Sequence, residues 1–186
     1  MKHIPICLVL GICIWVFSPD AGHAHEHGAH VHGAAAMNLA LDGPNVDIEL
    51  ETPLDNVLSF EYTPKTAEEK REVQTMAETL RRAEALFLFP AAAGCELKEV
   101  SLESEAISEE LLSGKDGGDT VNFEGHADLD ADFSFVCRNP QAITRIEVAL
   151  FKYFPRLNEI EVQMVTPAGQ KSAELTGRDN ILTVTP

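Results

Sequence analysis

The chain has no apolar run long enough to cross a bilayer. The longest, Ile4 to Phe17, holds fourteen uncharged residues, and a spanning helix needs about 20. It also lacks an HExxH pair, a nucleophile elbow and any Rossmann or P-loop glycine pattern, which removes the usual sequence grounds for an enzyme. Positive charge is scarce: 14 Lys and Arg stand against 30 Asp and Glu, a net charge of −16. That balance argues against nucleic acid or an anionic membrane surface as partner. It is compatible with collecting cations, although a solvated acidic surface is the commoner meaning. Cysteine is sparse too: four residues, none in a CxxC pair.

Histidine is where the chain is rich. Five of its seven histidines fall within ten residues: His23, His25, His27, His30 and His32. Neutral imidazole is the commonest protein ligand for zinc and also suits copper and nickel. A short His-rich tract therefore reads as metal-binding by composition. The readings without metal are an expression tag, disfavoured by the interleaved Ala, Gly, Glu and Val, or a disordered polar lead-in.

The tract follows what reads as a secretory signal. Met1-Lys2-His3 supplies a positive start, the apolar run follows, Ser18-Pro19-Asp20 breaks it, and Ala21-Gly22-His23-Ala24 offers small residues for cleavage after Ala24. Cys7 and Cys13 each follow an isoleucine, a poor setting for lipid attachment. The expected organisation is a signal peptide over 1–24, a His-rich tail over 25–35, and one α+β domain over 36–186 with a mobile acidic loop at 104–125. The mature protein is then soluble and exported, with no stable membrane insertion. A free amine at His25 with His27 in third position offers Cu(II) or Ni(II) a square-planar nitrogen set, which zinc does not favour.

Export makes Cys95 and Cys137 a disulfide by default. The bond closes a loop of roughly 40 residues, worth about 4 kcal/mol in the chain-entropy model. Soft metal ligation by the same pair is the competing reading.

Periodicity places the elements. Asn38 to Leu41 and Val46 to Leu50 read as strands around the turn Asp42-Gly43-Pro44-Asn45, with Leu58 to Tyr62 extending the sheet. Thr66 to about Phe87 reads as a helix: Thr66 and Glu69 form a capping-box pattern, and Val73, Met76, Ala77, Leu80, Ala83 and Phe87 share a face. Cys95 to Leu102 is a strand, and Ser108 to Leu112 a short helical turn. His126 to Cys137 alternates strongly, with Ala127, Leu129, Ala131, Phe133, Phe135 and Cys137 inward. Ile143 to Ala149, Glu159 to Val165, Lys171 to Thr176 and Ile181 to Val184 complete the strands, with a helical turn at Leu150 to Phe154. The fold class is α+β: a mainly antiparallel sheet with one long helix packed on it.

The alternating strand opens on a second candidate site, His126-Ala127-Asp128. Residues two apart on one strand face lie roughly 7 Å apart, close enough for His126 and Asp128 to share an ion. Two ligands do not make a tight zinc site, so others must come from the tail, from Asp130 or from water. The alternative is an exposed acidic face that discourages edge pairing.

Several segments carry a likeness: Leu39-Ala40-Leu41-Asp42-Gly43, Phe60-Glu61-Tyr62-Thr63-Pro64-Lys65-Thr66, Leu88-Phe89-Pro90-Ala91-Ala92-Ala93-Gly94-Cys95, His126-Ala127-Asp128, Phe133-Ser134-Phe135-Val136-Cys137 and Val162-Gln163-Met164-Val165-Thr166-Pro167. With the His-rich front, the chain resembles the ZrgA-like family of bacterial periplasmic zinc-binding proteins. The resemblance implies zinc binding in the periplasm beside a zinc-uptake ABC transporter. Such relatives commonly carry a His/Asp-rich insertion before the HxD motif. Here 104–125 contains no histidine, which implies a smaller metal load. The expected function is therefore a periplasmic zinc-binding protein, not an enzyme, that buffers or delivers Zn2+. Its expected ligands are His25, His27, His30, His32, His126 and Asp128. The alternatives are a copper or nickel carrier, or a metal-dependent hydrolase.

Overall fold

Alternating apolar and acidic residues build the largest layer of the molecule, seen in a computed structural model that describes residues 31–115 and 121–184. The expected signal segment and His25, His27 and His30 lie outside the described residues. Strand β1 (Ala34–Asp42) and strand β2 (Asn45–Pro53) form the expected hairpin, longer at both ends. Met37, Leu39, Leu41, Val46, Ile48 and Leu50 turn inward, while Asp47, Glu49 and Glu51 face water. A one-residue slip would reverse both sets, so this pattern fixes the register.

The chain then makes a helical turn, α1 (Leu54–Val57), and the longer helix α2 (Ala67–Arg81). The expected strand at Leu58 to Tyr62 does not form. Its neighbour Thr63 bonds to a loop instead: the Thr63 N–H donates to the Phe123 carbonyl at 3.2 Å, and the Phe123 N–H to Thr63 Oγ1 at 2.9 Å. Helix α2 starts as expected, with both halves of the Thr66–Glu69 capping box present, and buries Val73, Met76, Ala77 and Leu80. It stops at Arg81 rather than running to Phe87. Arg82 leaves the helical region, a 3-10 turn follows, and Phe87 enters a two-residue strand, β3 (Phe87–Leu88). Tertiary contacts override helical periodicity here. Phe87 packs edge-on against Phe133 with ring centres 5.0 Å apart, and the Leu86 carbonyl accepts from the Ala149 N–H at 2.7 Å. Such aromatic pairs add about 1 kcal/mol beyond simple burial.

Strand β4 (Cys95–Glu103) leads to the helical turn α3 (Glu109–Leu112) and then strand β5 (Asp128–Cys137). Within the acidic segment, Ala106, Ile107, Leu111 and Leu112 are buried in the core. Strand β6 (Arg145–Val148), the turn α4 (Leu150–Tyr153), strand β7 (Glu159–Thr166), strand β8 (Gly169–Thr176) and strand β9 (Ile181–Thr183) follow. Among the described residues nine strands form two sheets rather than one. The larger has the order β4-β5-β2-β1-β7-β8, the smaller β3-β6-β9. Every pairing is antiparallel except β1 with β7. The molecule is thus a single sheet-rich domain with few helices. Among the described residues no helix is long and apolar enough to cross a membrane.

Cys95 and Cys137 face each other across β4 and β5 and are disulfide-bonded, 42 residues apart in sequence. Gly94, just before, has φ +60, and a Cβ there would press on the Arg138 guanidinium at 3.0 Å. A left-handed backbone beneath a packed side chain admits glycine and little else.

Candidate metal centre

Register gathers the site at one end of the larger sheet. The run Ala36–Glu51–Asp130 lies in one row across β1, β2 and β5, and Ala34 pairs with Glu159 at the start of β7. The start of β1, the end of β2 and the starts of β5 and β7 therefore lie together. The residues just outside those strand ends are His32, Asp55, His126 and Arg156. Glu61 reaches the same place from the segment between α1 and α2. The Leu54 N–H donates to the Ala127 carbonyl at 2.9 Å, fixing α1 to the chain beside His126.

His32 is held by its neighbour. The Gly33 N–H donates to Asn56 Oδ1 at 2.6 Å, and the Gly33 carbonyl accepts from the Asn158 and Glu159 N–H groups at 2.7 and 3.0 Å. Asn56, itself buried, also donates to the Ala34 carbonyl at 2.7 Å and Thr52 Oγ1 at 2.9 Å. Gly33 has φ +90, and a Cβ there would lie 2.5 Å from Asn158 Nδ2. This clamp sets the point at which the His-rich tract meets the domain.

His32, Glu61 and His126 form a group that could hold a metal ion. His32 Nε2 lies 3.1 Å from Glu61 Oε1, and His126 Nδ1 contacts Glu61 Oε2. The ring centres are 5.9 Å apart, and one ligand atom from each residue lies within 4.8 Å of the other two. The Glu61 side chain is only 9% exposed, against 53% for His32 and 67% for His126. A carboxylate withdrawn from water is costly without a positive partner. An imidazolium or a metal cation between the two rings supplies it. Zinc holds nitrogen and oxygen at about 2.0–2.2 Å, and one ion can bridge this span after small side-chain adjustments. Such an ion would have three protein ligands and a fourth position open to exchange.

A second ion pair borders the site. His32 Nδ1 lies 3.9 Å from Asp55 Oδ2. Arg156 Nη2 donates to both Asp55 carboxylate oxygens at 2.5 and 2.6 Å, and its Nε donates to the Asp55 carbonyl at 2.7 Å. The hydrogen bond to Asp55, helped by its charge, pushes the guanidinium pKa further up.

Of the expected ligands, the structure brings His32 and His126 together. Asp128 is the half-buried first residue of β5, opposite Pro53, and does not belong to the three-residue group. His126 precedes the strand rather than opening it. Glu61 and Asp55 were not expected. Glu61 stands between Phe60 and Tyr62, where an alternating strand would place it outward. Only its presence in the shared Phe60-to-Thr66 segment marked it.

No curated protein matches the chain. A family model described as ZrgA family zinc uptake protein matches residues 29–184, from the foot of the histidine tract through β9. The match takes in all three residues of the centre and nearly the whole domain, and the chain belongs to the ZrgA family of zinc uptake proteins.

Proposed function

We propose that this protein binds zinc as cargo in the periplasm and buffers it or delivers it to a zinc-uptake ABC transporter. The observation that carries the reading is the buried Glu61 carboxylate with an imidazole on each oxygen. His32 links this centre to the tract, so His25, His27 and His30 are the candidates to load it. Those histidines and Asp128 are also the candidates for the remaining coordination position. Two exposed imidazoles and an open position favour exchange over permanent retention, as a carrier requires. Family membership supports zinc as the metal.

Calorimetric titration of the full chain with zinc, copper and nickel tests this. Zinc should fill at least two classes of site. Replacing His126 by Ala or Glu61 by Gln should remove one class and leave the circular dichroism spectrum unchanged. Binding that neither substitution alters would remove the centre from the function.

A further inference from the structure

A histidine that ligates a metal through one ring nitrogen usually donates its other N–H to a carboxylate or carbonyl, which fixes the tautomer and the ring plane. His32 turns Nε2 to Glu61 at 3.1 Å and faces Asp55 Oδ2 with Nδ1 at 3.9 Å, an ion-pair distance that a small turn of the ring would close to a hydrogen bond. Asp55 has no freedom to wander. It follows β2 directly on α1, its side chain is 16% exposed, and Arg156 grips it by three hydrogen bonds. Arg156 comes from the chain leading into β7, 101 residues away. The grip holds the carboxylate beside His32 and leaves Oδ2 a lone pair for the ring.

We propose that Asp55 is a positioning residue for His32, and that Arg156 holds it in that role. The inference rests on the reading of His32, Glu61 and His126 as the zinc centre. With Asp55 in place the His32 ring presents Nε2 to the metal and carries its proton on Nδ1.

The test uses the full chain with His25, His27 and His30 replaced by Ala, so that the domain centre is measured by itself. Zinc affinity is read by competition with a chromophoric chelator. In this background His126→Ala should abolish binding. If it does not, or if the background protein binds no zinc, the centre is misassigned and Asp55 falls with it. Where His126→Ala does abolish binding, Asp55→Ala should weaken affinity by about 10–100-fold with stoichiometry unchanged. An affinity within twofold of the background overturns the role of Asp55 while leaving the centre standing. Asp55→Asn keeps the shape and decides the matter if the alanine variant does not fold; about tenfold weakening is expected, and none overturns the proposal. Arg156→Gln should also weaken binding, and the double variant with Asp55→Ala should be no weaker than Asp55→Ala alone, because both act along one path. Additive losses contradict that path. Long-range nitrogen NMR of the zinc-free background, at a pH where His32 is neutral, should show its proton chiefly on Nδ1. Asp55→Ala, which leaves no acceptor, should shift that population toward the Nε2 tautomer, which a merely structural role leaves in place.

Discussion

At the scale of single residues, the site depends on one backbone position and one buried charge. Gly33→Ala places a methyl group against Asn158 at a φ that L-residues rarely adopt. The Asn158 side chain can swing aside, but the backbone strain, on the order of 1–3 kcal/mol, is relieved only by moving the chain that carries His32. Chemical denaturation should show the loss, and zinc affinity should fall with it; full affinity would mean His32 is placed by something else. Elsewhere the acidic face works against the fold. Asp130 stands directly opposite both Glu51 and Glu103, and like charges so placed repel. Burial first, then Glu51, Asp128, Asp132 and Glu103, raise its pKa above 3.8. A carboxyl raised on folding stabilises below its unfolded value, and that stability is lost as pH rises through the folded one. Asp130→Asn should therefore be more stable than the parent at pH 7, with the gap closing below pH 3.8 in denaturant titrations. The sequence showed this face plainly through its alternation. It could not show Glu61, because a carboxylate between two aromatics reads the same whether it faces water or a metal.

Elements were legible where the pattern was local. The hairpin, the alternating β5, the α3 and α4 turns and the capped start of α2 follow from neighbours in sequence. The end of α2 and the fate of Leu58 to Tyr62 did not, since Ala149 and Phe123 decide them from 63 and 60 residues away or more. The cap itself gives two expectations. Thr66→Ala removes the acceptor for the Glu69 N–H, bonded at 3.1 Å, and should cost about 1 kcal/mol, a melting shift of roughly 2–4 °C for a domain of this size. Glu69 has its pKa held down to about 2, chiefly by the backbone N–H groups of Thr66 and Lys65. A carboxylate lowered on folding contributes above its unfolded value of 4.5 and loses that contribution as pH falls toward 2. Glu69→Gln should thus be less stable than the parent at pH 6 and converge on it near pH 2. A gap that persists at pH 2 would assign the effect to packing rather than to the charged cap.

On the scale of the whole molecule, the centre is a product of topology. The parallel pairing of β1 with β7 brings chain ends together that no sequence pattern relates, and it places Arg156 and Asn158 beside His32 and Asp55. His32, Glu61 and His126 come from before β1, between α1 and α2, and before β5, so an ion bound among them ties three segments that separate on unfolding. Metal that binds only the folded state stabilises it by about 2.7 kcal/mol at a free concentration one hundred times Kd. For a domain of this length that is a rise of roughly 5–10 °C in melting temperature. Zinc held by the tract alone binds folded and unfolded chain alike and should leave the melting temperature where it is. Thermal scans with saturating zinc therefore separate the two classes of site without resolving either structurally. The full chain and the variant lacking His25, His27 and His30 should both rise, the full chain by more if a tract histidine fills the fourth position. Glu61→Gln and His126→Ala should not rise, although calorimetry still finds zinc on the tract of each. A rise that survives Glu61→Gln would place the stabilising ion somewhere other than this end of the sheet, and a rise that vanishes with the tract histidines would make the domain a platform for the tract rather than a site in its own right.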